Sequence, residues 1–444
     1  MSLKSTIAPR VAGMITSTRT RDLRRRAVEL RRYLGGGRHR VHYFHQVDDP
    51  YSHLAAQLLE PFLERYDVEL DVHLVGPPAD AAAPDRERLV EYSRVDASRV
   101  AAERGLVFRD PGAQPADALV MLATRLLATA PSPRAFAALA PKVGEALWDH
   151  DDETLHALVR DQPRAASVDV RSVLAAGEQL RTSLGHYLGA VFCYGGESYW
   201  GVDRLGYLEN RLVGLGAARD ANALLLAPRI DVTGDTIGAG GAAMTLEYFV
   251  SLRSPYSYIS MPRTYALAAR TGVELKLRPV LPMVMRGLAV PAAKRWYITL
   301  DSKREADSIG VPFGRIADPV GRPVERAFSL YPYAASKGRA AEYLHSFCRA
   351  AFAEGVATGT DEGLRHVIEG AGLPWADAMR HADQDGWRAE LETNREEMLA
   401  MGLWGVPSYR LRGPAGHADF CTWGQDRIHQ VESEIRLRAA QNPA

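Results

Sequence analysis

Leu246-Glu-Tyr-Phe-Val-Ser-Leu-Arg-Ser-Pro-Tyr-Ser-Tyr258 is the stretch on which the reading of this chain turns. Tyr248, Phe249 and Val250 are aromatic or β-branched and follow glycines at 240 and 241, which predicts a strand entered from a flexible segment. The pattern then changes. Ser254 is a favoured helix N-cap, and Pro255 suits the first helical position, where its missing N–H would have had no partner. The chain therefore runs strand, sharp turn, helix. The free N–H groups and positive dipole end of that helix point at whatever lies beside Ser254, so an anion, or a thiol about to become one, is stabilised there. An ordinary cap has the same local sequence, so the stretch alone sets the turn and leaves its chemistry open.

The stretch occurs twice. Val41-His-Tyr-Phe-His-Gln-Val-Asp-Asp-Pro-Tyr-Ser-His53 places Tyr43, Phe44, Pro50, Tyr51 and Ser52 at a constant 205 residues before Tyr248, Phe249, Pro255, Tyr256 and Ser257. The same offset carries Tyr92, Asp96, Arg99, Ala101 and Gly105 onto Tyr297, Asp301, Arg304, Ala306 and Gly310. Tyr199-Trp-Gly-Val-Asp-Arg204 then matches Thr422-Trp-Gly-Gln-Asp-Arg427 at an offset of 223, so the second copy gains a net 18 residues between Gly310 and Thr422. Matches in unchanged order predict two homologous domains. The added length is expected in the Pro- and Gly-rich stretch Val311–Pro332 and around Gly413–Gly416.

Bulk properties fit two domains of roughly 200 residues, each long enough to bury a core. The 54 basic and 54 acidic side chains cancel, which argues against a nucleic-acid footprint. No run of 18 apolar residues is present, so no membrane span is expected. Cys193, Cys348 and Cys421 are far apart, with no Cys-x-x-Cys and no zinc spacing. The sequence thus predicts no metal and a reducing, cytoplasmic setting. Residues 1–40 form a basic segment, with eight arginines between Arg21 and Arg40. Its Arg-rich, acid-poor character is that of a transit peptide or, the reading preferred here, a solvated leading helix.

In chain order, strand Val41–Phe44, a helix from Pro50 with Leu54, Leu58, Leu59 and Phe62 on one face, and strand Val68–Val75 form a β-α-β unit. Helices fill 85–104 and 116–186, and a hairpin 191–194/198–200 and a helix from Asp203 close the domain. After a glycine-bearing linker (Gly234, Gly238, Gly240, Gly241) the plan repeats. Strand 244–250, helix 255–271 and strand 273–279 are followed by helices, by Gly405-Val406-Pro407-Ser408, by hairpin 408–412/418–422 and by a final helix from Gln425.

A β-α-β unit, a helical insertion, a Val-Pro before a hairpin and a closing helix resemble the DsbA-like group of thioredoxin folds. Four motifs narrow the resemblance: Ser254-Pro255-Tyr256-Ser257-Tyr258, the run from Lys294 and Tyr297 through Asp301, Arg304, Ala306 and Gly310 to Val311-Pro312, Gly405-Val406-Pro407-Ser408, and Trp423-Gly424-Gln425-Asp426-Arg427. They look like 2-hydroxychromene-2-carboxylate isomerases and are similarly close to kappa-class glutathione transferases. The resemblance covers most of 244–440, and 41–213 less well. It implies an α/β chain of two tandem thioredoxin-like (DsbA-like) domains, each with a helical insertion: 41–227, a linker 228–243, and 244–444.

It also implies an enzyme using glutathione, an isomerase or transferase acting on a small electrophilic, aromatic substrate. Ser254 would be the catalytic residue, holding the glutathione sulfur. A cis Val406–Pro407 bond would free Val406 to pair with the tripeptide backbone, and Gln425 and Asp426 would hold its γ-glutamyl end. Tyr256, Lys294 and Tyr297 would face the second-substrate pocket. From the residues alone, Asp426 could equally cap a helix or pair with Arg427, and Lys294 and Tyr297 could be ordinary helix positions.

The first copy departs from this pattern. Asp49 replaces Ser254, and its charge would repel a thiolate. Leu188-Gly-Ala-Val191 stands where Val-Pro would be, although Asp203 remains. The expectation is that copy one has lost the chemistry and serves as a built-in partner, a pseudo-dimer in place of, or in addition to, a homodimer. The competing expectations are a non-catalytic binding scaffold and a thiol–disulfide oxidoreductase. The absence of cysteine at either helix start argues against the second of these.

Overall fold

A computed structural model describes residues 3–162, 165, 167–236, 241–382 and 385–441. Gly238 and Gly240 of the linker lie outside the described residues. The chain is mixed α/β with two four-stranded sheets, and its contacts define two compact units. One holds Leu23–Arg229 and Pro291–Tyr297, the other Met1–Asp22, Ile230–Val290 and Ile298–Ala444.

The N-terminal sheet uses β1 (His39–His45), β2 (Val68–Leu74), β3 (Val191–Tyr194) and β4 (Glu197–Trp200) in the order β2-β1-β3-β4. β1 pairs parallel to β2 and antiparallel to β3, and β3 pairs antiparallel to β4. The C-terminal sheet uses β5 (Thr245–Val250), β6 (Glu274–Pro279), β7 (Ser408–Arg412) and β8 (Phe420–Trp423) in the order β6-β5-β7-β8, with the same sequence of directions. The parallel pair needs a helical crossover, supplied by Pro50–Ala56 with Leu59–Arg65 in one unit and by Pro255–Thr271 in the other. Helices fill the interval between β2 and β3, and between β6 and β7. Each unit has its own core: Tyr43, Phe62, Phe192 and Leu205 belong to one, Tyr248, Ile259, Phe328 and Tyr409 to the other.

The two strand-to-helix turns make matching hydrogen bonds. Tyr43 OH donates to Ser52 O at 3.1 Å, and Tyr248 OH to Ser257 O at 3.0 Å. Gln46 N donates to Ser52 Oγ at 3.1 Å, and Ser251 N to Ser257 Oγ at 3.3 Å. Tyr51 OH donates to Asp96 Oδ2 at 2.7 Å, and Tyr256 OH to Asp301 Oδ2 at 2.8 Å. In each pair the partners are 205 residues apart.

Two expectations need correction. The helix after Pro50 is not continuous: it stops at Ala56 and restarts at Leu59. Pro61 has no N–H for the Gln57 carbonyl and tolerates only a first-turn position, so the helix begins again around it. The expected loop Val311–Pro332 is shorter, because Arg322–Ser336 is helical with Pro323 in its first turn. The basic N-terminal segment contains two helices. Leu3–Thr16 is a helix whose Thr16 Oγ1 donates to Gly314 O at 3.2 Å. Thr18–Leu34 buries no residue and is held by polar contacts, Arg25 to Glu197 at 2.6 and 2.7 Å and Tyr194 OH to Glu29 at 2.7 Å.

Candidate active site

Ser254 caps the helix Pro255–Thr271 as its sequence dictates: with extended backbone angles, it accepts a hydrogen bond from Ser257 N at 3.1 Å. Its hydroxyl donates to Val406 O at 3.2 Å. That bond joins the helix start to the loop Gly405–Ser408, in which Val406–Pro407 is cis. Pro407 is buried and Val406 half-buried, and Pro407 O accepts from Gly424 N at 2.9 Å, tying the loop to the turn after β8. Gly405 is required there: a Cβ on it would lie 2.4 Å from the Trp423 ring. On the other side Arg253 grips Asp318 with two bonds of 2.7 Å, fixing the turn that carries Ser254.

Gln425 is buried, and both ends of its amide are engaged by protein. Arg263 Nη2 donates to Gln425 Oε1, and to Gln425 O at 3.2 Å, while Gln425 Nε2 donates to Glu305 Oε2 at 3.0 Å and to Asp426 Oδ1. Arg263 also pairs with Asp231 at 3.0 Å. Gln425 is thus held between Arg263 and Glu305 and donates in turn to the half-buried Asp426. Sequence reasoning missed Arg263 and Glu305, although a signal existed. At the repeat offsets Arg263, Glu305 and Gln425 fall on Leu58, Val100 and Val202, three members of the N-terminal core. A buried apolar trio in one unit is a polar trio in the other, with Glu305 and Gln425 buried and Arg263 nearly so.

Of the expected pocket residues, Tyr256 stands in the turn next to Ser254, but its hydroxyl donates to Asp301, itself paired with Arg304 at 3.0 Å. Lys294 and Tyr297 belong to the unit that holds Leu23–Arg229. Lys294 Nζ donates to Ala82 O at 2.8 Å, and burial lowers its pKa to about 8. Tyr297 packs edge-on against His186 with ring centroids 4.5 Å apart. The structure therefore brings together Ser254, Val406 and Pro407, holds Gln425 against Asp426, and draws Lys294 and Tyr297 into the other unit.

The N-terminal turn differs in kind. Asp49 accepts from Tyr51 N at 3.3 Å and from Ser52 N and Oγ at 3.0 and 2.8 Å, and desolvation pushes its carboxyl up to about 6. Gly189 backs it so closely that a Cβ would lie 3.2 Å from Asp49 Oδ2. Asp203, the counterpart of Asp426, is paired with Arg104 at 3.3 Å. The cysteines are free; Cys193 and Cys348 are buried, and burial raises both thiol pKa values.

Residues 245–436 match the DSBA-like thioredoxin domain. Among solved structures the chain is similar to a 2-hydroxychromene-2-carboxylate isomerase, at 20% identity over 45% of this chain and 97% of that one, with a TM-score of 0.37. It is also similar to the cytosolic disulfide reductase DsbM from Pseudomonas aeruginosa, at 20% identity over 44% and 97% of the two chains, TM-score 0.36. A structure of that reductase with GSH aligns at 19% identity over 44% and 98%, TM-score 0.32. No curated protein matches the chain. No helix among the described residues is long and apolar enough to cross a membrane.

Proposed function

We infer that the C-terminal unit binds the thiol of glutathione at Ser254 and uses it on a small electrophilic, aromatic substrate, as an isomerase or transferase of the 2-hydroxychromene-2-carboxylate isomerase type. The observation that carries this is the Ser254 hydroxyl, poised at a helix N-terminus and donating to the Val406 carbonyl. A sulfur entering beside Val406 would receive that donor along with the positive end of a 17-residue helix. A free thiol has a pKa near ~8.5, and such surroundings lower it by roughly one to several units, each worth about 1.4 kcal/mol of thiolate stabilisation. The thiolate adds to an electrophilic carbon and a bond of the substrate becomes single. Rotation about that bond followed by expulsion of the thiolate gives isomerisation, whereas protonation of the adduct gives a thioether and transfer. Val406 pairs with the tripeptide backbone beside Pro407, and Asp426, oriented by Gln425, answers the γ-glutamyl ammonium group.

The two units are read as copies of one ancestral domain, supported by the constant offset and by the three matched hydrogen bonds. In this reading the N-terminal copy has lost thiol binding, because Asp49 replaces the neutral donor and Arg104 occupies Asp203.

Calorimetric titration of reduced glutathione tests the site. One saturable site per chain is expected, weakened at least about tenfold by Asp426→Ala, which removes a charge-assisted contact. Ser254→Ala is expected to lower activity by more than the ~1 kcal/mol of stability that a lost cap costs. A folded protein giving no heat at millimolar glutathione would sink the reading.

A further inference from the structure

We propose that His42, Asp71 and His73 of the N-terminal sheet form a binding site for a first-row divalent metal ion of the zinc class. His42 lies on β1, and Asp71 and His73 lie on β2; β1 and β2 run parallel, with His42 opposite Asp71 and Phe44 opposite His73. Alternate residues of a strand share a face, so the register puts all three side chains on one side of the sheet. His42 Nδ1 is 3.1 Å from His73 Nε2 and 3.5 Å from Asp71 Oδ2, and His73 Nε2 is 4.0 Å from Asp71 Oδ2. A tetrahedral zinc ion with bonds of about 2.0–2.1 Å separates its donors by roughly 3.3–3.4 Å. The three observed edges bracket that value, so an ion can sit among the donors with shifts of a few tenths of an ångström.

The ring nitrogens already face each other. Without an ion, one imidazole must hold a proton between them; an ion takes the place of that proton and engages both lone pairs. Phe44 stacks on the His73 ring at 5.1 Å and holds its orientation. The carboxylate supplies the charge. Among the described residues Asp71 forms no ion pair with a lysine or arginine, so two imidazoles are its partners.

The other sheet shows what this face requires when no metal is intended. The register positions of His42, Asp71, His73 and the neighbouring Cys193 correspond to Glu247, Lys276, Arg278 and Arg410. There the buried Glu247 is held by Arg278 at 3.0 Å, by Lys276 at 3.8 Å and by Arg410. Fixed cations do in one unit what a bound cation would do in the other. On the other side of His42, towards β3 and β4, lies a cavity of about 130 Å³ lined also by Arg40, Leu184, Cys193 and Ser198. Two histidines and a carboxylate suit zinc or a neighbouring transition metal better than calcium or magnesium, which favour oxygen donors.

The test is zinc binding to the chelator-stripped full-length chain, followed by competition with a chromophoric chelator, with cobalt absorption as a second readout. One zinc per chain at micromolar or tighter affinity is expected. His73→Ala and His42→Ala should each weaken it at least a hundredfold, and Asp71→Asn at least tenfold; circular dichroism checks the fold. Asp71 is 45% exposed, so its variant keeps the question decidable if a histidine variant misfolds. Zinc affinity unchanged in a folded Asp71→Asn or His73→Ala chain, or less than one zinc per chain in the wild type, would leave His42–His73 a plain hydrogen-bonded pair and overturn the proposal. None of these outcomes bears on the glutathione reading of the other unit.

Discussion

Replacing Ser254 with aspartate would give the second helix start the feature that sets the first one apart. Asp49 shows that an aspartate caps this turn well, accepting from Ser52 N at 3.0 Å. Ser254→Asp should therefore leave stability within about 1 kcal/mol of wild type, since serine and aspartate are near-equal caps. The thiol chemistry should not survive. Ser254 reaches Val406 O at 3.2 Å, so a sulfur taking that donor would lie roughly 4 Å from a carboxylate placed at 254. Two unit charges about 4 Å apart repel by about 4 kcal/mol at an effective dielectric constant near 20. That is roughly three pKa units against the thiolate. The carboxylate can relieve the repulsion only by taking up the proton itself, as Asp49 already tends to do, with a carboxyl pushed up to about 6 by desolvation. The assay is ultraviolet thiolate absorbance of bound glutathione as a function of pH. The midpoint should move up by roughly three units, and the melting temperature should barely change. An unmoved midpoint in a folded Ser254→Asp chain would refute the reasoning, because the sulfur would then lie away from the helix start.

Two further outcomes follow from the geometry. Desolvation raises Asp49 from 3.8 to about 6, so the folded chain holds a proton that the unfolded chain has released, and this contribution to stability falls as pH rises from about 4 to 6. About two units at ~1.4 kcal/mol each give roughly 3 kcal/mol. Asp49→Asn should remove that dependence, gaining about 3 kcal/mol on wild type between pH 4 and pH 7 in urea unfolding; an equal difference at both pH values would contradict it. Buried His45, held at about 3, acts with the opposite sign but cancels in the comparison. Gly405→Ala would drive a methyl into the Trp423 ring, 2.4 Å from the nearest carbon, and overpacking of this kind costs about 1–3 kcal/mol. Glutathione heat should vanish with it, and retained binding would show that the loop Gly405–Ser408 is not part of the site.

How much could be read from residue order depended on how local the physics was. Ser254-Pro255 could be read as a turn because cap and first-turn preferences act within four residues, and the helix Pro255–Thr271 begins where those preferences place it. The recurring motifs could be read because they stand at fixed offsets, and the two sheets that hold them show the same strand order. The contacts of the expected pocket residues could not be read in this way. Lys294 and Tyr297 meet Ala82 and His186, each more than a hundred residues away, and no periodicity records such pairings. Arg263, Glu305 and Gln425 are an intermediate case. Each alone looks like an ordinary polar residue of a helix or turn, and only comparison with Leu58, Val100 and Val202 shows three apolar core positions turned polar together. A buried polar cluster is costly unless every member is partnered, and replacing one by well-packed apolar residues is often neutral or stabilising. The N-terminal unit carries that apolar solution and has Asp49 where a thiol site needs a neutral donor; the C-terminal unit keeps the polar cluster directly behind Asp426. A polar cluster held against Asp426, where the other unit has apolar residues, supports the proposal that the chemistry lies in the C-terminal unit.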